Sequence, residues 1–334
     1  MSLPSSARTS ETRSPEADEP SNRRFTQKII RLARQGSWED VQSVFQQIPQ
    51  KNLIVYSALL NAAVLCGRFK DGSNILQDLR AREFQWTEPV YVSAMRIQEG
   101  LRCYAEGLAL FRDMQHRGLA INPPPYVVAM NLCSQRGQYE EALRIWDEMI
   151  SAGLKPQAPA FTALINAAAA TGDTTKVEVH LRELRTCGLQ LNGAQFGGLL
   201  KACRQSLDVE GAVSYLLEDR EWSCQRTVVH FTIVMSIIRG AGIALRDFAR
   251  ARGLVADLVS LMSERRVEID KYFLEEHVAA MLGADLKTVL NGSIDPLPQA
   301  QSAALLVLKS SDIDFRLRTW LTRRVEHFLV EHRK

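Results

Sequence analysis

The sequence predicts an all-α protein built as a solenoid of stacked helical hairpins. Three observations predict this fold: an aromatic ring recurs at a fixed step, each recurring segment contains two amphipathic helical patterns, and prolines and glycines mark matching places in successive segments. A fixed period of a few tens of residues is the sequence signature of a repeat array, in which each unit packs mainly against its neighbours.

The aromatic rings give the clearest measure of the period. The first step is 31 residues and every later step is 35 residues. The rings are Phe25, Tyr56, Tyr91, Tyr126, Phe161, Phe196 and Phe231. Pro89, Pro124 and Pro159 keep the same step, as do Gly118, Gly153 and Gly188. Six rings at one spacing, with Phe25 one shortened step before them, indicate seven structural units.

The segment 123–157 shows how a unit divides into two helices. Its prolines at 123–125 suit a first helical turn, because the N–H that proline lacks would have no partner there. Gly137 supplies a left-handed stop after the first helix, and Gly153 ends the second. The second helix carries four apolar residues on one face: Ala142, Ile145, Trp146 and Met149. Neither helix can bury its apolar face alone, so neighbouring hairpins bury it together.

The predicted organisation has three parts. Residues 1–22 form a disordered tail or a transit peptide, since they are rich in Ser, Pro, Thr and charge, although their acidic residues argue against the second reading. Residues 23–290 form the repeat array, and residues 291–334 form capping helices, the last of them basic and amphipathic. The units are 22–52, 53–87, 88–122, 123–157, 158–192, 193–227 and 228–270, and an eighth hairpin is expected to begin at Lys271.

Composition and motifs argue against several classes of protein. The net charge of +3 permits a nucleic-acid partner without indicating one. The six cysteines form no CxxC pair, and no apolar run approaches the ~18–20 residues that span a bilayer. No phosphate loop, zinc-protease motif or nucleophile elbow is present. We therefore expect a soluble protein that is not an enzyme, with no cofactor, no metal, no membrane association and no small-molecule substrate.

A 35-residue hairpin that ends in Met-x-x-x-Gly-[Leu/Ile]-x-Pro resembles the pentatricopeptide repeat family. The units PPPYVVAMNLCSQRGQYEEALRIWDEMISAGLKPQ at 123–157 and APAFTALINAAAATGDTTKVEVHLRELRTCGLQLN at 158–192 are close matches, and the resemblance covers about three quarters of the chain. It implies a right-handed superhelix of about seven to eight pentatricopeptide-type repeats that binds single-stranded RNA, one base per repeat. It also implies a mitochondrial or chloroplast location.

The resemblance implies that two side chains in each repeat read one base: the residue after the ring and the last residue of the repeat. The pairs are Thr26 with Asn52, Ser57 with Thr87, Val92 with Asn122, Val127 with Gln157, Thr162 with Asn192, Gly197 with Thr227, and Thr232 with Asp270. By resemblance, Thr–Asn favours adenine, Thr–Asp favours guanine and Ser–Thr leans towards a purine. The apolar residues two positions before the rings would contact base faces: Ile54, Pro89, Pro124, Pro159, Ala194 and Val229. The alternative is that these polar residues are ordinary helix N-caps.

One departure from the family pattern concerns the RNA backbone. The family commonly has a basic residue late in the first helix to contact phosphate, and here only Arg34 occupies that position. The equivalent residues are Leu65, Gly100, Gln135, Ala170, Gln205 and Gly240. Five nearby basic residues would compensate if they face the groove: Arg31, Arg96, Lys201, Arg204 and Arg239. Since phosphate contacts supply most nonspecific affinity, binding is expected to be weak or to need a partner.

Two functions follow from these patterns. The first is sequence-selective RNA binding in organellar RNA processing, stability or translation, together with other RNA-processing proteins. The second is a protein–protein scaffold, such as a non-catalytic subunit of a ribonucleoprotein. The near-neutral charge favours the scaffold, whereas the Thr/Ser and Asn/Asp pairs favour RNA. Some relatives end in a metallonuclease domain, but the residues after the last clear repeat are too few for one, so we expect no cleavage activity.

Overall fold

The computed structural model describes residues 20–282, apart from 83, 218–221, 223 and 246–247. This part of the chain contains fifteen helices and no strand. They are α1 (Pro20–Arg34), α2 (Trp38–Gln46), α3 (Leu53–Leu65), α4 (Phe69–Ala81), α5 (Glu88–Gly100), α6 (Tyr104–His116), α7 (Pro123–Gln135), α8 (Tyr139–Ser151), α9 (Ala158–Ala169), α10 (Thr174–Thr186), α11 (Gly193–Ser206), α12 (Val209–Leu217), α13 (Val228–Leu245), α14 (Phe248–Glu264) and α15 (Lys271–Leu282). None of these helices is long and apolar enough to cross a membrane.

The chain divides into two compact units, residues 1–125 and 126–334. In the first unit, α1, α3 and α5 pack against one another in order, and each also contacts the second helix of its own hairpin. In the second unit, α9, α11, α13 and α15 pack against one another in order, and α9, α11 and α13 each contact the second helix of their own hairpin. This packing of equivalent helices on one another confirms the predicted all-α helical-repeat solenoid.

The observed helix boundaries agree with the proline and glycine pattern. α7 begins at Pro123, and Gly137 has a left-handed φ of 66° just after the helix ends. α15 begins at Lys271, where the eighth hairpin was expected. α1 begins at Pro20, within the segment 1–22 that the sequence assigns to the tail. The rest of that tail and the predicted capping helices at 291–334 lie outside the described residues.

A left-handed residue after the first helix recurs even where glycine is absent. Gly67, Gly137 and Gly172 adopt it with φ between 65° and 75°. At the equivalent positions of the third and sixth repeats, Arg102 has φ 61° and Leu207 has φ 55°. Residues with a Cβ reach this region at an energetic cost, so the hairpin packing imposes the turn there.

The recurring rings form the core. Tyr56, Tyr91, Phe161, Phe196 and Phe231 are all buried. In two repeats the ring packs against an aromatic residue in the preceding second helix: Tyr56 meets Phe45 at 5.5 Å and Phe161 meets Trp146 at 4.7 Å between ring centroids. The period visible in the sequence is therefore the period of the hydrophobic contact that joins one hairpin to the next.

Two rings also carry a polar connection to their own hairpin. The Tyr56 hydroxyl donates to Asp78 Oδ2 at 2.5 Å, and Arg82 Nε donates to Asp78 Oδ1 at 3.0 Å. Thirty-five residues on, Tyr91 donates to Asp113, and Arg117 Nε donates to the same carboxylate at 3.1 Å. The tyrosine hydrogen bond is the main cause that lowers the pKa of each aspartate. Burial, with the nearby carboxylate, raises the pKa of Tyr56 and of Tyr91 to about 12.

Glycine allows one close approach between first helices in the second unit. A Cβ added at Gly198 of α11 would lie 2.4 Å from Cγ2 of Ile165 in α9. Ile165 is β-branched and buried, so its methyl has little freedom to move aside.

Candidate nucleic-acid interface

The first unit contains a groove of about 980 Å³ along the first helices of three consecutive repeats. Its lining comes from α1, α3, α5 and the connection before α5: Thr26, Ile30, Asn52, Leu53, Ile54, Ser57, Ala58, Asn61, Phe84, Gln85, Thr87, Pro89, Val92 and Ser93. Two complete predicted pairs, Thr26 with Asn52 and Ser57 with Thr87, therefore lie on one surface, beside Val92 of the third pair.

The groove combines apolar faces with a few polar groups. Ile54 is 44% exposed, and Pro89 at the equivalent position of the next repeat is also exposed. Both residues stand two positions before a ring, which is the position predicted to contact base faces. Such walls suit planar ligands, because the face of any base can pack on them while hydrogen bonds form at its edge.

The first pair, Thr26 and Asn52, already makes hydrogen bonds within its own helices. Thr26 is only 9% exposed, and its Oγ1 donates to the carbonyl of Arg23 at 2.9 Å. Asn52 caps α3, since its Oδ1 accepts from the backbone N–H of Val55 at 3.1 Å. The helix-cap interpretation therefore holds for Asn52, but the groove also reaches both side chains.

The second and third pairs differ from the first. Thr87 precedes α5, yet its side chain makes no capping hydrogen bond within the described residues, and it is exposed. Ser57 is half-buried at the groove. Asn122 donates from Nδ2 to Glu88 Oε2 at 2.8 Å. The exposed Thr87 can thus turn towards a ligand at low cost, whereas Asn122 would first have to leave Glu88.

In the fifth repeat, the predicted pair belongs to a hydrogen-bond network. Thr162 Oγ1 donates to the carbonyl of Ala158 at 2.8 Å and accepts from Gln195 Nε2 at 3.3 Å. Gln195 also donates to that same carbonyl, at 3.3 Å. Asn192 and Gln195 form a capping box, each side chain accepting from the other's backbone N–H, at 3.1 and 3.0 Å. Gln195 is fully buried, and its hydrogen bonds connect the predicted base-reading position of one repeat to the next repeat.

His230 repeats this arrangement thirty-five residues later. Its Nδ1 accepts from the backbone N–H of Thr227 at 2.9 Å, and its Nε2 lies 2.9 Å from the carbonyl of Gly193. An acceptor at Nδ1 and a carbonyl opposite Nε2 require the neutral tautomer with its proton on Nε2. Burial lowers the pKa of His230, which favours this neutral form.

The seventh pair, Thr232 and Asp270, also makes hydrogen bonds to the protein backbone. Thr232 Oγ1 donates to the carbonyl of Val228 at 2.8 Å. Asp270 Oδ1 accepts from the backbone N–H of Phe273 at 2.7 Å at the start of α15. Both side chains remain half-exposed. Each therefore retains unused acceptor lone pairs.

The basic residues take different positions. Arg34 is exposed near the end of α1, where it lines a second hollow with Ile30 and Arg31. Arg96, Lys201 and Arg204 are exposed as well. Arg239, which the sequence offered as a compensating phosphate contact, is instead held in a bidentate ion pair with Glu276 at 2.9 and 3.1 Å.

Sequence reasoning missed Gln195, His230 and Arg226. Asn192-x-x-Gln195 is a capping-box pattern, so the sequence could have predicted the role of Gln195. No sequence pattern indicated the role of Arg226. Its side chain is buried, donates to the carbonyls of Trp222 and Cys224 at 2.8 and 3.0 Å, and lies 3.9 Å from the centre of the Phe196 ring.

No cluster of His, Cys, Asp and Glu in the described part could hold a metal ion.

These features define a class of protein: an α-solenoid of helical-hairpin repeats, four of which carry polar residues at both predicted base-reading positions. Residues 102–220 match the family described as the pentacotripeptide-repeat region of PRORP. This match supports, over the third to sixth repeats, the pentatricopeptide-type repeat that the sequence resembles.

Solved structures show the same fold. The structure of the pentatricopeptide repeat protein PPR10 from maize is 16% identical, with a TM-score of 0.62 over 92% of this chain and 44% of that chain. PPR10 in complex with an 18-nucleotide psaJ RNA element is 14% identical, with a TM-score of 0.54 over 92% of this chain and 47% of that chain. The chain thus spans just under half the length of these structures. No curated protein sequence matches it.

Proposed function

We propose that the chain binds single-stranded RNA along its first helices, one base per repeat, and acts in organellar RNA processing, stability or translation without catalysis of its own. The observation that carries the proposal is the groove of the first unit, on which two complete predicted pairs lie together. A protein of the same fold has been solved with RNA, which supports the ligand class. The organellar setting rests on the family resemblance.

Hydrogen bonds within the protein give the polar pairs a fixed donor and acceptor character. The hydroxyl of Thr162 already donates its proton to the carbonyl of Ala158, so towards a base this hydroxyl can act only as a hydrogen-bond acceptor. Oδ1 of Asn192 already accepts the backbone N–H of Gln195 in the capping box, so Asn192 presents its Nδ2 donors to a base. The pair therefore suits a base edge with an N–H donor beside a ring-nitrogen acceptor, as in adenine or cytosine, and the family resemblance selects adenine.

The same reasoning separates the other pairs. Thr26 and Asn52 repeat the acceptor and donor of the fifth repeat. Thr232 donates to Val228, and Asp270 is a carboxylate, so both present acceptors. Guanine offers two adjacent N–H donors on its Watson–Crick edge, so it fits the seventh pair. The donor and acceptor pattern of these pairs is thus compatible with the selectivity that the resemblance implies.

The second candidate function is a protein-binding scaffold in a ribonucleoprotein. Arg34 is the one basic residue at the late first-helix position, and Arg239 is paired with Glu276. Weak attraction for phosphates would leave the grooves available to a protein partner.

A direct binding assay separates the two functions. The RNA carries, in repeat order, A, a purine, any two bases, A, any base and G, and is offered in both polarities at low salt. Binding that weakens when either A or the G is changed supports the proposal. No detectable binding of either polarity at low salt supports the scaffold instead.

Thr162→Val tests one repeat of the code. It removes the acceptor for the base and for Gln195, so selectivity at the fifth base should fall about tenfold while affinity for RNAs altered elsewhere changes little. Val127→Ile, at the same position of a repeat with an apolar pair, is the control. Equal loss of selectivity at all positions in Thr162→Val would contradict base reading by this residue.

A further inference from the structure

A polar stripe follows the first helices, five residues after each ring. Its members are Asn61, Arg96, Asn131, Asn166, Lys201 and Ser236, and the shortened first repeat has Ile30 there. Each member lies four residues after the predicted base-reading position. Residues four apart share one face of a helix, so the stripe runs beside the base-reading positions, one turn further along.

In the first unit, the stripe borders the groove. Asn61 lines it together with Ser57. Val92 lines it on α5, and Arg96 lies one turn beyond Val92 and is exposed. Within the described residues no carboxylate lies within ion-pair distance of Arg96; the acid that its charge acts on is Glu99, whose pKa burial raises.

In the second unit, two stripe members meet across neighbouring repeats. Lys201 Nζ donates to Asn166 Oδ1 at 3.3 Å, which places α9 and α11 side by side at this level. Asn166 is neutral, and the described part of the chain gives Lys201 no carboxylate partner. Arg204 adds a second positive charge, and desolvation together with Arg204 lowers the pKa of Lys201. Two cations without an acid attract an anion.

We propose that this polar stripe binds the phosphodiester backbone of the RNA, in place of the basic residues that most repeats lack late in the first helix. The inference rests on the proposed function. Arginine and lysine donate charge-assisted hydrogen bonds to phosphate oxygens, and the asparagine amides add neutral donors. The Asn166–Lys201 bond leaves Asn166 Nδ2 and two protons of Lys201 free to donate.

The salt dependence of RNA binding tests this assignment. Each phosphate contact contributes about 0.7 to the slope of log K against log salt for a single strand. Lys201→Gln and Arg96→Gln should each lower the magnitude of that slope by about 0.7, and the double variant by about 1.4, while the order of base preferences stays the same. Lys201→Arg should retain the slope.

Lys70→Gln is the matched control, because Lys70 is exposed on a second helix and its loss changes net charge equally. The stripe is not the backbone site if Lys201→Gln and Arg96→Gln keep the wild-type slope or match Lys70→Gln. A changed preference at one base with an unchanged slope would make the residue a base reader and overturn the inference as well. If the wild-type chain binds no RNA at low salt, the proposed function itself has failed, which is a distinct result.

Discussion

Gln195 of α11 donates its side-chain amide to the hydroxyl of Thr162 in α9, the residue predicted to read the fifth base. The hydroxyl of this predicted base reader is therefore positioned by a buried residue of the following repeat. One repeat later, His230 Nε2 lies 2.9 Å from the carbonyl of Gly193, the equivalent of the Ala158 carbonyl that Gln195 contacts. If Thr162 reads a base as proposed, selectivity in the fifth repeat depends on this inter-repeat hydrogen bond as well as on the pair itself.

Gln195→Met should destabilise the second unit by about 1–3 kcal/mol. Methionine keeps the volume but removes the acceptor for the backbone N–H of Asn192 and the donor to Ala158 and Thr162, three hydrogen bonds made by a fully buried side chain. Thermal unfolding followed by circular dichroism measures the loss. Gln205→Met, an exposed change in the same helix, is the control and should alter stability by no more than about 0.5 kcal/mol. Equal stability of the two variants would contradict the role of Gln195.

Asn192→Asp should switch the fifth base from adenine to guanine. Aspartate keeps the oxygen that caps α11, but it replaces the Nδ2 donors with an acceptor, so the pair with Thr162 then presents two acceptors. A change of about 1–3 kcal/mol in relative affinity is expected from one such pairing. Competition between RNAs that differ only at this base measures it.

Gln157→Glu controls for the added negative charge, since Gln157 ends the fourth repeat, is exposed and is paired with Val127. It should weaken all RNAs alike. Retained adenine preference in Asn192→Asp would refute the donor and acceptor assignment for the fifth repeat.

Acid should remove the contribution of the Tyr56–Asp78 and Tyr91–Asp113 pairs. Folding lowers the pKa of both aspartates, so their contribution is present above the unfolded pKa and is lost as pH falls through the folded value. Tyr56→Phe should cost about 0.5–1.5 kcal/mol at neutral pH, and the difference from wild type should shrink below about pH 4.

Urea unfolding at pH 7 and at pH 3 measures this difference. Tyr104→Phe is the control, because the Tyr104 hydroxyl makes no hydrogen bond within the described residues. A constant difference between Tyr56→Phe and wild type at both pH values would show that the carboxylate is not the partner that matters.

The sequence was sufficient for the features that depend on local spacing. The ring period predicted which residues join the hairpins, and the prolines and glycines predicted where α7 begins and ends. The helix-cap alternative also anticipated the backbone contacts of Asn52 and Asp270. These features involve residues within one turn or one repeat, where periodicity and capping rules act directly.

Features set by the distance between repeats could not be predicted. Arg239 pairs with Glu276 thirty-seven residues away, which requires the separation of α13 and α15. Arg226 is buried against Phe196, a position that composition would assign to an apolar residue. Arg102 and Leu207 adopt left-handed turns without glycine, because the packing on either side of the turn outweighs the local preference.

Gly198 bears on the proposed base selectivity although it has no side chain. One additional carbon atom there would collide with Ile165 and force α9 and α11 apart. Thr162 and Asn192 sit on opposite sides of that gap, so their separation would widen although neither had changed. Engineers who rewrite the recognition pairs of this chain therefore have to keep its glycine spacers.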